Sequence, residues 1–502
     1  MRTLNHKLNP MRWAAALRAA LTGENRERAV FLTLAAYAVL WALYGFIAKS
    51  SQGLHYDMTE VIAWSRDLSP GYLKHPPLAA ALVRVWFTIF PVNEFSYYVF
   101  AMTMPALTLW IAWRLSADYL SLEKRVAGLA LLMLIPFFNF HALKFNVNTV
   151  LMPVWAATTW WFLVSFRRRD ALYAALAGVG AALCMMGKYW SVFLLIGLLA
   201  AAFVDRRRGD YFRSKAPYIT ALVGLIVLSP HLLWLWQNNF APFTYAMGIH
   251  GDKPLAGTVI AALGYLGGSL GYVALPVIIV LIAAVRSRAA LAELVWPSDT
   301  ERRLAAAAFW LPFLLPAIGA IASGTEITSL WSMPAWTLLP VLLLSSPQLI
   351  WREADTRRVL LLAIALPLVM LIASPFLAIM TQQKGPAPAA AHAELLARQV
   401  EREWNQVTPM PLRFIGGDEE IAYDVAAYAA DRPRALPGLT PDATELRRAG
   451  QVLVCFSSDA KCRDAAKTLP GSRVVESTIM RNFWRFPGKP QGYTIVVVPP
   501  RR

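Results

Sequence analysis

Apolar residues fill most of the first 380 positions in long blocks, with charges gathered in the short stretches between them. A helix of about 20 apolar residues crosses the hydrocarbon core of a bilayer, and shorter blocks cross only if neighbouring helices shield their ends. The blocks predict eleven spans, at 29–48, 96–117, 126–140, 149–166, 171–187, 190–204, 216–236, 257–285, 304–322, 328–346 and 359–380. The run 29–48 is too long for a signal-peptide core and reads as an uncleaved first span. A further apolar stretch, 78–90, has only 13 residues and contains Arg84, so it reads as re-entrant or interfacial. Ahead of the first span, Trp13, Leu17 and Leu21 predict an amphipathic helix lying on the membrane.

Beyond residue 380 the period changes. A Pro/Ala-rich linker at 381–391 leads into helix 392–406, strand 412–415, helix 420–430, strand 452–456, helix 459–468 and strands near 473–477 and 493–498. The expected architecture is a polytopic α-helical membrane protein with a small C-terminal α/β domain. Its parts are an amphipathic N-terminus (1–28), a membrane domain (29–380), a linker (381–391) and the α/β domain (392–502). There is no internal repeat and no glycine-rich phosphate loop.

Charge decides the orientation. The chain is 57% hydrophobic and 16% charged, with a net charge of +17; soluble domains average about 25% charged residues. The segments 1–28, 118–125, 167–170, 205–215, 286–303 and 347–358 hold 23 Lys and Arg, including Arg2 and Lys7 near the start. The alternate loops before residue 381 hold seven: Lys49, Arg66, Lys74, Arg84, Lys144, Lys188 and Lys253. Basic loops stay in the cytoplasm, so the N-terminus is expected inside and the C-terminal domain outside, as in a bacterial inner-membrane protein with a periplasmic domain. Counting 78–90 as a span would put Arg167-Arg168-Arg169 outside, against that rule. The positive excess thus belongs to membrane topology and lipid contact, not to nucleic acid. Cys455 and Cys462 lie seven apart in the external domain, where a disulfide can form; Cys184 lies in an apolar run.

The chemistry concentrates on the external face. The longest external loop, 49–95, carries four of the six acidic residues in the external loops before residue 381: Asp57, Glu60, Asp67 and Glu94. It also holds His55, Tyr72, Lys74, His75 and Pro76-Pro77. Five of seven histidines, His55, His75, His141, His231 and His250, fall at external loops or external span ends. Asp57 and Glu60 are three apart and share a face of a helix entered near residue 58. A carboxylate there suits a general base for an incoming hydroxyl or amine, or an oxygen ligand for a divalent cation; an acidic pair in a loop also fits a plain solvated surface. Lys74, Lys144 and Lys188 stand beside aromatic or polar neighbours at a membrane boundary. They suit a clamp on a lipid-linked phosphate, or simple snorkelling to the interface.

The stretch Leu54-His-Tyr-Asp-Met-Thr-Glu-Val-Ile-Ala-Trp-Ser-Arg-Asp-Leu-Ser-Pro-Gly-Tyr-Leu-Lys-His-Pro-Pro77 resembles the first external loop of bacterial family-39-like glycosyltransferases. These belong to the GT-C superfamily, with the protein O-mannosyltransferases and the lipid A aminoarabinose transferases. His141-Ala-Leu-Lys-Phe-Asn-Val-Asn-Thr-Val-Leu is similar to their next external loop, Gly187-Lys188-Tyr189 to a recurrent turn, and Trp331-Ser-Met-Pro334 to a late Trp-x-x-Pro element. The likeness covers about residues 30–350. It implies a sugar donor carried on a polyprenyl phosphate and transfer at the external face, with Asp57 as the catalytic aspartate and Glu60 as a second acid. The sequence departs from the pattern at three positions. Met58 replaces a Glu after the aspartate, His75 replaces a phosphate-binding Lys although Lys74 is adjacent, and Asn148 replaces a second-loop Asp.

The reading is a glycosyltransferase acting by inversion on an envelope acceptor such as lipid A, core oligosaccharide or another glycan or lipid. Lys74, His75, Lys144 and Lys188 would bind the donor phosphate. His55, Tyr72, Asn148 and His250 would position the acceptor or the loop. No nucleotide site is required, and a divalent cation is the one cofactor the acids could hold. The alternative is a transporter or flippase of a lipid-linked sugar. It is disfavoured because polar residues gather at one face and no repeat is present.

Overall fold

The computed structural model describes residues 10–385, 388–437 and 441–501. Arg2 and Lys7, and Pro386 and Ala387 of the expected linker, lie outside the described residues. The chain divides into two compact units. One comprises residues up to Ala42, Pro70–Leu78 and Val99–Met370; the other comprises Leu43–Ser69, Ala79–Tyr98 and everything from Leu371 onward.

The first unit is a bundle of apolar helices. In lipid every backbone amide must be bonded within its own segment, which is why the apolar blocks become helices. Among the described residues seven helices are long and apolar enough to cross a membrane: Arg26–Ala48, Glu94–Asp118, Val147–Arg168, Ala216–Gln237, Leu255–Ala284, Thr300–Ser323 and Glu353–Lys384. The other four expected spans are shorter helices. Ala171–Gly187 fills one, capped by the Asp170 carboxylate, which accepts from the Tyr173 amide (3.1 Å). The expected span 126–140 becomes Leu122–Met133 followed by a tight turn at Pro136–Phe138, because the ring of Pro136 removes an amide donor and holds Ile135 extended. The span 190–204 is Val192–Val204, and 328–346 is a tight helix Ser329–Leu338 running into Leu339–Leu344. The segment expected as re-entrant or interfacial forms a helix of 12 residues, Leu78–Ile89.

Close helix packing rests on small residues. A Cβ on Gly178 would lie 2.5 Å from the Thr220 carbonyl, and one on Gly180 would lie 2.4 Å from the Thr158 hydroxyl. Ala171–Gly187 can therefore sit directly against both Ala216–Gln237 and Val147–Arg168.

Ion pairs join all six basic segments assigned to one face. Arg18 bonds Glu123 (2.8 Å) and Glu353 (3.1 Å), Arg167 bonds Asp118, Arg169 approaches Asp210 (3.8 Å), and Arg207 bonds Glu301. Pairs of this kind add little stability. Their value is geometric: the six segments share one end of the bundle, as eleven crossings require. The expected amphipathic helix is Pro10–Thr22, with Leu21 buried and Trp13 exposed.

The second unit contains the α/β domain. Strands β1 (Phe414–Gly417), β2 (Arg434–Ala435), β3 (Gln451–Phe456), β4 (Arg473–Ile479) and β7 (Gln491–Val498) form one sheet in the order β2-β1-β3-β7-β4. β1 pairs parallel with β2 and β3, whereas β7 runs antiparallel to β3 and β4. A separate two-stranded hairpin pairs β5 (Asn482–Phe483) with β6 (Phe486–Pro487). Helices Pro388–Asn405 and Glu419–Tyr428 cover the sheet, with Trp404 and Tyr493 fully buried. Cys455 and Cys462 are bridged, and Cys184 is free and buried. The linker expected at 381–391 is mostly helical: Glu353–Lys384 continues past the apolar block, and the next helix starts at Pro388.

The long loop 49–95 separates into parts. Pro70–Leu78 packs with the bundle, while its flanking pieces pack with the α/β domain.

Candidate functional site

In the second unit the acidic pair lies on the helix Tyr56–Arg66. The helix starts two residues earlier than expected because His55 caps it: the Asp57 amide donates to His55 Nδ1 (3.1 Å). An Nδ1 that accepts this bond is unprotonated, so a neutral His55 carries its proton on Nε2. Asp57 therefore sits in the first turn, where negative charge is favoured. Its side chain is 22% exposed, with His55 Nδ1 3.7 Å from Oδ1. Glu60 is buried on the same helix, at 3% exposure. Asp57 can thus meet a solute, whereas Glu60 is enclosed.

The α/β domain fixes this helix at several points. Thr59 Oγ1 donates to Asp424 Oδ1 (2.8 Å), the Arg66 guanidinium donates to the carbonyls of Ala426 and Ala427, and Arg434 Nε donates to Asp67 (2.9 Å). From within the loop itself, the Tyr97 hydroxyl donates to the Met58 carbonyl (3.2 Å). Asp424 is buried, and burial pushes its carboxyl up to about 7, with the charges of Glu420 and Asp418 adding to the effect and the Thr59 hydroxyl opposing it. Thr59 and Asp424 gave no signal in the sequence, since 365 residues separate them.

In the first unit the cations fall into three groups. Lys188 follows the last turn of Ala171–Gly187 and donates from Nζ to Asn148 Oδ1 (3.0 Å). Its ammonium also lies 4.2 Å from the centroid of the Trp331 ring, a cation–π contact. His250 meets the same indole edge-on at 5.4 Å, and Trp190 packs against it at 4.6 Å. Burial and the Lys188 charge together push the His250 imidazole down, so it stays neutral at neutral pH. Asn148 is an amide, so its own bond to Lys188 positions the ammonium and brings no charge. Gly187 matters here because a Cβ would lie 2.7 Å from Leu151, forcing apart the helices that bring Lys188 to Asn148.

Lys144 lies on the turn after His141, ahead of Val147–Arg168, whose first amides are capped by Asn146 (2.9 and 3.3 Å). The His141 ring packs against Tyr272 at 5.0 Å, and burial plus the Lys144 charge push it down.

The third group is the turn carrying Lys74 and His75, closed by the Tyr72 amide donating to the His75 carbonyl (3.0 Å). Its base docks on Ala216–Gln237. His231 Nδ1 bonds the Pro70 carbonyl (2.7 Å) and Nε2 meets the Tyr189 hydroxyl (3.1 Å). A carbonyl only accepts, so the His231 proton is on Nδ1. A Cβ on Gly71 would fall 2.3 Å from the Trp234 ring. His231 was legible only as one of five external histidines; its partner Pro70 is 161 positions away. Among the described residues no three His, Cys, Asp or Glu side chains converge as metal ligands.

A bundle of membrane helices with a lysine-and-aromatic cluster at helix ends, joined in sequence to an α/β domain, has the GT-C fold. Residues 74–234 match the family described as dolichyl-phosphate-mannose-protein mannosyltransferase. The chain is 27% identical over 214 residues to the lipopolysaccharide core galacturonosyltransferase RgtB of Rhizobium johnstonii (strain DSM 114642 / LMG 32736 / 3841), a match spanning 42% of each protein. In fold it is similar to ArnT from Cupriavidus metallidurans bound to undecaprenyl phosphate, with a TM-score of 0.57 at 12% identity, covering 95% of this chain and 98% of that one. The apo form of the same protein gives 0.58 at 12% identity, covering 92% and 97%.

Proposed function

We propose that the protein is an integral inner-membrane glycosyltransferase that moves a sugar from a polyprenyl-phosphate donor to lipopolysaccharide, on lipid A or the core, at the periplasmic face. The observation that carries this reading is the Lys188 ammonium, held by a neutral amide and an indole face at the end of a membrane helix. An ammonium fixed against an amide and an indole face suits the phosphate of a lipid-linked donor at a bilayer boundary. The relatives support the same chemistry. One is named for transfer to the lipopolysaccharide core, and a protein of the same fold is described as bound to undecaprenyl phosphate.

In the proposed reaction an acceptor hydroxyl or amine bonds to the sugar's anomeric carbon as the bond from that carbon to the phosphate oxygen breaks. The electron pair leaves with the phosphate, and the acceptor's proton passes to the Asp57 carboxylate. A single displacement inverts the configuration. Lys188, Lys144, Lys74 and His75 are assigned to the phosphate, whose growing charge they would stabilise. Asn148 positions Lys188, while His55, Tyr72 and His250 position the loop or the acceptor. The buried Glu60 supports the helix or the acceptor rather than taking the proton.

The test is mass spectrometry of envelope glycolipids from a strain lacking the chain. Lipopolysaccharide should lose one sugar while the polyprenyl-linked form of that sugar accumulates. An unchanged lipopolysaccharide, with the linked sugar retained on the cytoplasmic face, would instead mark a flippase.

A further inference from the structure

The hairpin β5–β6 of the α/β domain exposes apolar surface that the described residues do not cover. Trp484, at its tip, is 73% exposed and Met480, at its base, is 48% exposed. Trp484 holds a left-handed backbone (φ 54°) in the two-residue turn and stacks on Phe483 at 5.5 Å. A bulky residue is disfavoured in that conformation, so the turn presents an indole where glycine or asparagine would be easier to accommodate. Arg481, Arg485 and Lys489 surround it, and no Asp or Glu occurs from residue 477 to the end of the chain.

The hairpin is fastened to the ends of two membrane helices. Gln382, buried near the end of Glu353–Lys384, donates from Nε2 to the carbonyls of Arg481 (2.9 Å) and Phe486 (3.2 Å). Lys489 Nζ donates to the Lys384 carbonyl (2.9 Å). The Arg481 guanidinium donates to the carbonyl of Ser50 (2.8 Å), two residues past the first membrane helix. A Cβ on Gly488 would lie 2.8 Å from the Gln382 amide nitrogen, so the hairpin closes tightly on its tether.

We propose that this hairpin is an interfacial anchor that seats Trp484, Met480 and Phe483 among the headgroups of the surrounding bilayer, with Arg485 and Lys489 meeting anionic phospholipid phosphates. The tether puts the hairpin at the level where two spans leave the membrane, and Trp with flanking cations is the side-chain set that this layer favours. The partner is the phospholipid surface itself. Its role is to hold the α/β domain against the membrane, independently of which sugar or acceptor the protein handles.

The test uses the full chain with Trp484→Cys carrying an environment-sensitive fluorophore; Cys184 is buried and Cys455–Cys462 bridged, so only the new thiol reacts. The protein is placed in nanodiscs of phosphatidylethanolamine with phosphatidylglycerol, and in nanodiscs of phosphatidylcholine. A label at the exposed Thr444, introduced as Thr444→Cys, serves as the aqueous reference. The expected result is blue-shifted emission at 484, at least twofold quenching by headgroup-depth nitroxide lipids and protection from iodide, with position 444 showing the reverse. Arg485→Gln with Lys489→Gln should reduce the contact in anionic discs towards its level in phosphatidylcholine. Iodide-quenched, lipid-insensitive emission at 484, or equal lipid quenching at 444, would overturn the proposal.

Discussion

Lys188 and Asn148 make a pair whose chemistry depends on a single atom. Replacing the amide by a carboxylate in Asn148→Asp keeps the geometry but sets a negative charge against the ammonium. A charge-assisted hydrogen bond is worth roughly 1.5–3 kcal/mol, so donor binding should weaken about 10–100-fold, with the thermal midpoint unchanged. Lys188→Ala should lose at least as much. Equilibrium binding of polyprenyl phosphate to the purified variants measures both; full affinity in Asn148→Asp would separate the pair from the donor. Asn148 was legible in the sequence as a departure from a family motif, and Lys188 as a cation after a glycine. Their contact across 40 positions, and the Trp331 ring beneath the ammonium, were not, because both depend on how three helices pack.

Asp424 predicts a pH dependence of stability. Its folded value of about 7 lies above its ordinary 3.8. The folded state therefore keeps a proton that the unfolded chain releases between those values. The stabilisation is complete below about pH 4 and is lost as pH rises through 7. Asp424→Asn keeps an acceptor for the Thr59 hydroxyl and removes the titration. The melting temperature of the full-length wild type should fall from pH 5 to pH 8 by several degrees more than that of the variant. Parallel curves would place no titrating proton on Asp424.

At the scale of elements, the sequence was informative wherever one physical rule dominates. Apolar length gave the membrane helices, and alternation gave β3, β4 and β7 to within a few residues. It was weaker where two rules compete. Pro136 ended a helix that hydropathy alone carried to residue 140, and the linker composition at 381–391 gave way to helix on both sides. The two-residue strand β2, the helix Ala443–Ala449 and the β5–β6 hairpin are too short to carry a period. The turn that bears Lys74 depends on Gly71 meeting Trp234. Gly71→Ala places a methyl 2.3 Å from that ring, and overpacking of this kind costs about 1–3 kcal/mol. The turn should lift, seen as faster amide exchange over residues 72–75 while the helix Val147–Arg168 exchanges as before. Unchanged exchange would mean that Trp234 yields instead.

For the whole molecule, eleven crossings with the basic loops on one face would put the termini on opposite sides. The ion-paired end of the bundle is predicted to be cytoplasmic, because its described segments carry 21 Lys and Arg residues. Reporter fusions after residue 390 should be active in the periplasm; activity in the cytoplasm would reverse the topology and the location of the chemistry with it. The division of the loop 49–95 between the two compact units could not be read from sequence, since it rests on buried polar contacts such as Thr59 with Asp424. Those contacts tie the helix bearing Asp57 to the α/β domain.

The central claim is that Asp57 takes the acceptor's proton during transfer from a polyprenyl-phosphate sugar. It is tested most directly by single-turnover transfer with purified donor and acceptor, comparing the wild type with Asp57→Asn. The amide nearly preserves the size of the side chain and cannot act as the base, and a general base contributes roughly 10²–10⁴-fold. The account predicts a loss of about that size with folding and donor binding intact. Equal rates, with the chemical step shown to be rate-limiting, would contradict it and leave Asp57 as part of a helix cap.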